Sequence, residues 1–184
     1  MIIIGVDPGT LVTGFGIIES NNGKMKILTC DAIVNESHTS MPLRLKRIYE
    51  KLSEAIARYH PDQLAIETAF YGKNAQSALK LGHARGVAML AAVTKEIPAS
   101  EYSPREVKRA IVGNGNASKQ QVQYMVKSLL RMKEISKHYD VTDALAVAMC
   151  HLHRTTARRT TYKSWKTYLV QHPEKLSSPP ARKR

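Results

Sequence analysis

The sequence has no long apolar run. Its longest, Gly86 to Val93, falls far short of the roughly 18 residues of a membrane-spanning helix, so no membrane span is expected. Cysteine is scarce. The two present, Cys30 and Cys150, form no close-spaced metal pattern, and two reduced thiols fit a cytoplasmic chain better than a disulfide scaffold. The N-terminus lacks a basic leader region and Asp7 interrupts its apolar run early, so no signal peptide is expected. Repeats and low-complexity blocks are also lacking, and 184 residues fit one domain. Acidic residues are few: 15 against 28 Lys and Arg, a net charge of +13. A surplus of that size favours polyanionic partners through counterion release, without separating DNA from RNA or anionic lipid.

Alternating and β-branched patterns open the chain. Ile2, Ile3, Ile4 and Val6 suit a buried strand, and Asp-Pro-Gly is a turn signal. Gly14 to Ile18 continues in a second strand, Asn21-Asn22-Gly23 makes a tight turn, and Lys26 to Val34 gives a third strand, an antiparallel meander. A helix is predicted from about Met41 to His60, with Leu45, Ile48, Leu52, Ile56 and Tyr59 on one face and Pro61 ending it. Gln63 to Glu67 is a short strand. The segment from about Asn74 to Lys95 is apolar on most faces and is expected to be a buried helix, with Gly82 and Gly86 able to admit a second backbone. Ile97 to Tyr102 is one more strand. Ser103-Pro104-Arg105-Glu106 opens a helix, Ser118 with Gln121 opens another, and a last helix begins near Asp140. From Arg154 basic residues dominate and Glu174 is the one acid. The predicted division is one folded domain over 1–160 and a basic, flexible tail over 161–184. The order describes an α/β domain with a mixed five-stranded sheet and helices on both faces, as in the ribonuclease H-like fold.

Four acids carry the chemical signal. Asp7 ends a very apolar strand, although Asp before Pro-Gly is also a good turn residue. Glu67 closes the apolar strand Leu64-Ala65-Ile66, where a charge is costly unless paired, though a strand-end acid reaching solvent reads the same way. Asp140 and Asp143 are three apart and share a helix face, yet acids at a helix start are also ordinary caps. Adjacent parallel strands can place Asp7 beside Glu67, and a packed C-terminal helix can add Asp140 and Asp143. Four such carboxylates repel unless cations bind, and magnesium is the natural oxygen-liganded choice. Two ions about 3.5–4 Å apart can activate water and stabilise the leaving oxygen of a phosphodiester.

Two further segments suit nucleic acid. Phe70 and Tyr71, followed by Lys73 and Asn74, offer aromatics that stack on unpaired bases or fold back into the core. The loop Gly113 to Lys119, with Asn114, Gly115 and Ser118, leads into a helix N-terminus that favours a phosphate, with Lys108, Arg109 and Lys119 adding charge; a plain loop with a capping Ser fits too. His83, His138, His151 and His153 lack a compact ligand pattern and read as surface or packing residues.

Four blocks, IIIGVDPGTLVTGFGII, AIETAFYGKNAQSALKLGHARG, YSPREVKRAIVGNGNASKQQVQYMV and DVTDALAVAMCH, span about residues 1–153. In order and spacing they closely resemble the RuvC family of Holliday-junction resolvases. GVDPGT alone recurs in other folds; the middle block and the GNGNASK loop are specific. The resemblance implies a homodimeric endonuclease with a ribonuclease H-like fold, each subunit nicking one of two symmetric strands of a four-way DNA junction to leave ligatable duplexes. It implies Asp7, Glu67, Asp140 and Asp143 as the metal-binding catalytic set for Mg2+, two ions per site, with Mn2+ able to substitute. Some members carry His where this chain has Asp140. It further implies that Phe70 lies at the junction centre, that Lys108 and Lys119 bind DNA near the cut, and that the Gly82–Gly86 helix lines the dimer interface. The RuvA and RuvB branch-migration proteins are the implied partners. Of the rivals, a sugar-kinase, actin or heat-shock ATPase needs two lobes and a second phosphate loop. A non-catalytic junction-binding protein explains the charge but leaves four acids unused.

Overall fold

The computed structural model describes residues 1–68, 75–132 and 137–160. The chain divides into two units, Met1–His153 and Arg154–Arg184. In the first unit, strands β1 (Ile2–Asp7), β2 (Val12–Asn21) and β3 (Lys24–Val34) precede helix α1 (Met41–Tyr59). Strand β4 (Gln63–Glu67), helix α2 (Ala75–Val93) and strand β5 (Ala99–Tyr102) follow, then α3 (Pro104–Val112) and α4 (Lys119–Leu129). The last helix, α5, is Tyr139–Thr160, and its final turns are the described part of the second unit.

The sheet order is β3-β2-β1-β4-β5. Strands β1, β2 and β3 pair antiparallel, while β1–β4 and β4–β5 are parallel. This is the expected mixed five-stranded sheet in its ribonuclease H-like order. Asn22 and Gly23, at φ 49° and 77°, form the two-residue turn between β2 and β3. Positive φ at both positions matches the right-handed twist of the strands, which explains Asn-Gly there.

Strand alternation sorts the core into two layers. Ile4, Val6, Leu64 and Ile66 face α1 and α2, packing with Ile48, Leu52, Ala88 and Ala92. Ile3 and Ala65 face the other way, against Val107, Val122, Val141 and Leu145 of α3, α4 and α5. Burying each large aliphatic side chain is worth about 1.5–3 kcal/mol. Helices thus cover both faces, as expected.

Two expectations need correction. Helix α2 is buried only along Ala84, Ala88, Ala91 and Ala92. Leu79, Leu90 and Val93 remain 62%, 53% and 58% exposed, and a Cβ added at Gly82 or Gly86 would meet nothing within 4 Å. High apolar content marks surface suited to burial, not surface the same chain buries. Strand β5 begins at Ala99 rather than Ile97. The Ile97 N–H donates to the Ala92 carbonyl at the end of α2, and Ile97 enters the α1–α2 layer, so ladder pairing starts with Leu64 opposite Ala99.

Candidate active site

Asp7 and Glu67 end neighbouring parallel strands. Val6 is opposite Ile66, and continuing that register makes Asp7 and Glu67 the next rung. Because side chains alternate across a strand, both acids follow Gly5 and Ala65 onto the α3–α5 side, while Val6 and Ile66 point into the α1–α2 layer.

Glycines let α5 descend onto this rung. Gly14, the β2 partner of Asp7, sits so close to the first turn of α5 that a Cβ there would lie 2.0 Å from the Asp140 carbonyl oxygen. One at Gly5 would lie 2.1 Å from the Ala144 carbonyl oxygen. Only a residue without Cβ permits such contact. The helix start carrying Asp140 and Asp143 is therefore held against the strand ends carrying Asp7 and Glu67.

A cavity of about 290 Å³ opens at this point, with Asp7, Glu67, Asp143, Lys108 and Lys119 in its lining. Leu81, Val107 and Val122 supply apolar wall. Asp140 does not line it, yet its charge acts on both Asp7 and Asp143. The structure thus brings three of the four expected acids to one surface and keeps the fourth within electrostatic reach.

The acids strain one another. Burial, then the charges of Asp143 and Asp140, push the Asp7 carboxyl up to about 7, with Lys119 opposing. Burial, then Asp7 and Asp143, push Glu67 up to about 8, against Lys119 and Lys108. Asp143 is also raised, chiefly by burial, although the charge and hydrogen bond of Lys119 pull it back. Lys119 Nζ stands 3.4 Å from Asp143 Oδ2, and that neighbour above all holds the ammonium in its charged form. Such upward shifts mark a site that favours a proton or a cation between its carboxylates.

Among the described residues, no three His, Cys, Asp or Glu side chains stand close enough together to hold a metal ion by themselves. Magnesium is usually held by one or two carboxylates and retains several waters. An open set of hard oxygen donors, mutually repelling and partly buried, has the chemistry of a site that shares a cation with water and does not suit an ion needing a closed protein cage.

The loop before α4 is built by local bonds. Gly113 caps α3 at φ 80°, and Asn114 Oδ1 accepts the Asn116 N–H at 3.0 Å. Gly115 packs on Arg105, where a Cβ would meet Cγ at 2.7 Å. Ser118 and Gln121 form the expected capping box, as do Ser103 and Glu106 on α3. Ser118 thus fixes the helix start that aims Lys119 into the cavity. Phe70, Tyr71, Lys73 and Asn74 lie outside the described residues.

Sequence reasoning did not single out Gly5 or Gly14 as the seat of α5. It also missed a buried network in which Tyr102 Oη is 2.7 Å from His151 Nδ1, while His151 Nε2 meets Gln63 Oε1. This network ties α5 to β4 and β5 beneath the acids. Its members are too far apart in sequence for spacing to reveal it. It gives His151 the packing role expected of it.

A family model described as "Crossover junction endodeoxyribonuclease RuvC" matches residues 3–151. A protein of that name from Christiangramia forsetii is 44% identical over 177 residues, covering 95% of this chain and 92% of its own. One from Desulforamulus reducens is 50% identical over 151 residues, covering 82% and 93%. Among solved structures, Thermus thermophilus RuvC in complex with Holliday junction substrate superposes with a TM-score of 0.80 at 30% identity, covering 84% of this chain and 94% of that one.

Proposed function

The chain belongs to the RuvC family of crossover junction endodeoxyribonucleases, an endonuclease that resolves Holliday junctions, and we propose that it does so by paired symmetric nicks through magnesium-assisted phosphodiester hydrolysis. The observation that carries this reading is the convergence of Asp7, Glu67 and Asp143, from three separate elements, on one cavity that also holds Lys108 and Lys119. A protein that only bound junctions would gain nothing from acids that repel phosphate.

Asp7 and Glu67 would hold metal from the sheet, with Asp143 and Asp140 doing so from the helix. Two ions are proposed, with Mn2+ able to replace Mg2+. When bound, magnesium supplies a water of lowered pKa and neutralises charge on the scissile phosphate. The acids must shed their protons to act as ligands, which is why burial and mutual repulsion couple their ionisation to cation binding. Lys108 and Lys119 hold the phosphate beside the acids, and the apolar wall limits competing water. Asn114, Gly115 and Ser118 set the loop that carries Lys119, and they are proposed as DNA contacts beside it. Phe70 and Tyr71 stack on bases opened at the junction, with Lys73 and Asn74 on the neighbouring phosphates.

Symmetric nicking needs two sites, so the working form is a homodimer. The uncovered α2 face, with open Gly82 and Gly86 between Leu79 and Leu90, supports this. Family resemblance supports RuvA and RuvB as partners, and a DNA substrate suits the cytoplasm. Among the described residues, no helix is long and apolar enough to cross a membrane.

The test uses a labelled four-way junction and a linear duplex, with and without magnesium. Symmetric nicks on the junction alone, requiring magnesium, are expected. Asp7→Asn should bind the junction and not cut it. Retained cleavage by Asp7→Asn would overturn the mechanism, and binding without cleavage by the unaltered protein would favour the non-catalytic role.

A further inference from the structure

Lys119 stands differently from the other cation in the cavity. Its Nζ is 3.4 Å from Asp143 Oδ2. Lys108 shares the lining, but the ion pair at the acids, among the described residues, is Lys119–Asp143. The two partners are unequal in freedom. The Lys119 side chain is 68% exposed and Asp143 only 15%. The capping box of Ser118 and Gln121 fixes the Lys119 backbone. The carboxylate is therefore the stationary partner and the ammonium the one that can swing on its four-carbon stem.

We propose that Lys119 is the resident counter-ion of the acid cluster, which an arriving divalent cation must displace from Asp143, and that the displaced ammonium then meets the DNA phosphate. This rests on the metal-site reading above. Asp143 gives its charge to the lysine or to a metal ion. An ammonium left against the acids both occupies a ligand oxygen and repels a divalent charge. Once it moves outward, the same charge favours the phosphate of the strand to be cut. Metal loading and phosphate docking then favour each other, because each favours the position of Lys119 away from Asp143.

The experiment is a Mn2+ titration of the DNA-free full chain at pH 8, followed by electron paramagnetic resonance of free Mn2+. It compares the unaltered protein with Lys119→Met, Lys108→Met and Asp7→Asn. Methionine keeps an apolar stem and removes the charge. Lys119→Met should bind Mn2+ about two- to fivefold more tightly, the range for release of one exposed ion pair, and Lys108→Met should gain less. Unchanged or weaker binding in Lys119→Met overturns the proposal, as does an equal gain in Lys108→Met, which would show a general field effect. If those results came with weakened binding by Asp7→Asn, the counter-ion role alone would fall. Unweakened binding by Asp7→Asn would overturn the metal-site reading itself.

Discussion

Gly14→Ala tests whether glycine seating of α5 sets the active-site geometry. An added Cβ would sit 2.0 Å from the Asp140 carbonyl oxygen, where real Cβ atoms essentially never come within 3.0 Å. The obstacle is backbone on both sides, so either the first turn of α5 or strand β2 must retreat by at least about 1 Å. Overpacking of this kind costs roughly 1–3 kcal/mol, which lowers the melting temperature and leaves a domain of ordinary stability folded. The catalytic loss should be larger in proportion, since a misplacement of about 1 Å can cost on the order of 100-fold in rate. Under saturating magnesium and junction, single-turnover nicking should fall about 100-fold, with junction affinity changed little, because Lys108 and Lys119, two of the proposed DNA contacts, sit on α3 and α4. Folding is checked by circular dichroism and thermal melting. A folded Gly14→Ala protein that nicks at the unaltered rate would refute the claim that this glycine positions Asp140 and Asp143.

Three other outcomes are expected. Gly86→Leu on the open α2 face should leave the subunit fold intact and abolish the proposed dimer, seen as halved mass in analytical ultracentrifugation; a stable dimer in the variant would place the interface elsewhere. In metal-free protein, Asp7 and Glu67 bind protons more tightly when folded, with pKa raised from 3.8 to about 7 and from 4.5 to about 8. Their stabilising contribution is full below about pH 4 and is lost as pH rises through 7 to 8. The melting temperature should therefore fall over that window relative to Asp7→Asn, and magnesium at pH 8 should restore it; matching pH profiles for the two proteins would contradict the raised Asp7 pKa. Phe70→Ala should slow junction cleavage about tenfold through lost base stacking, worth roughly 1–3 kcal/mol per base, whereas unchanged cleavage would assign Phe70 to packing.

The features legible in the sequence are those fixed within a few residues. Ser103–Glu106 and Ser118–Gln121 close their capping boxes as spaced. Asn22-Gly23 makes its turn, and β4 spans Gln63 to Glu67 as read. Asp7 and Glu67 were visible as charges ending apolar strands, and Asp140 and Asp143 as a pair three apart at a helix start. Their meeting was not, because it depends on β1 lying between β2 and β4 and on glycines in two strands accepting one helix. Within a strand pattern those glycines look like weak points rather than seats. Helix α2 shows the converse limit: periodicity identifies an apolar surface, but Leu79 and Leu90 are not covered by the described residues. The family resemblance supplied long-range convergence that local pattern could not.

The two-layer core also bears on how this protein can change over generations. The sheet separates residues packed against α1 and α2 from those packed beneath the acids, and the two hydrophobic layers share no member. Substitutions behind the sheet can reshape the exposed α2 face while Asp7 and Glu67 keep their seats. Substitutions around α3 and α4 can reshape the rim of the cavity without disturbing the α2 face. Strand alternation makes that independence conditional, since inserting one residue in β1 would turn Asp7 into the aliphatic layer and bring Val6 to the cavity. Point substitution is therefore the tolerated route to diversity in β1 and β4, and length change belongs in the loops.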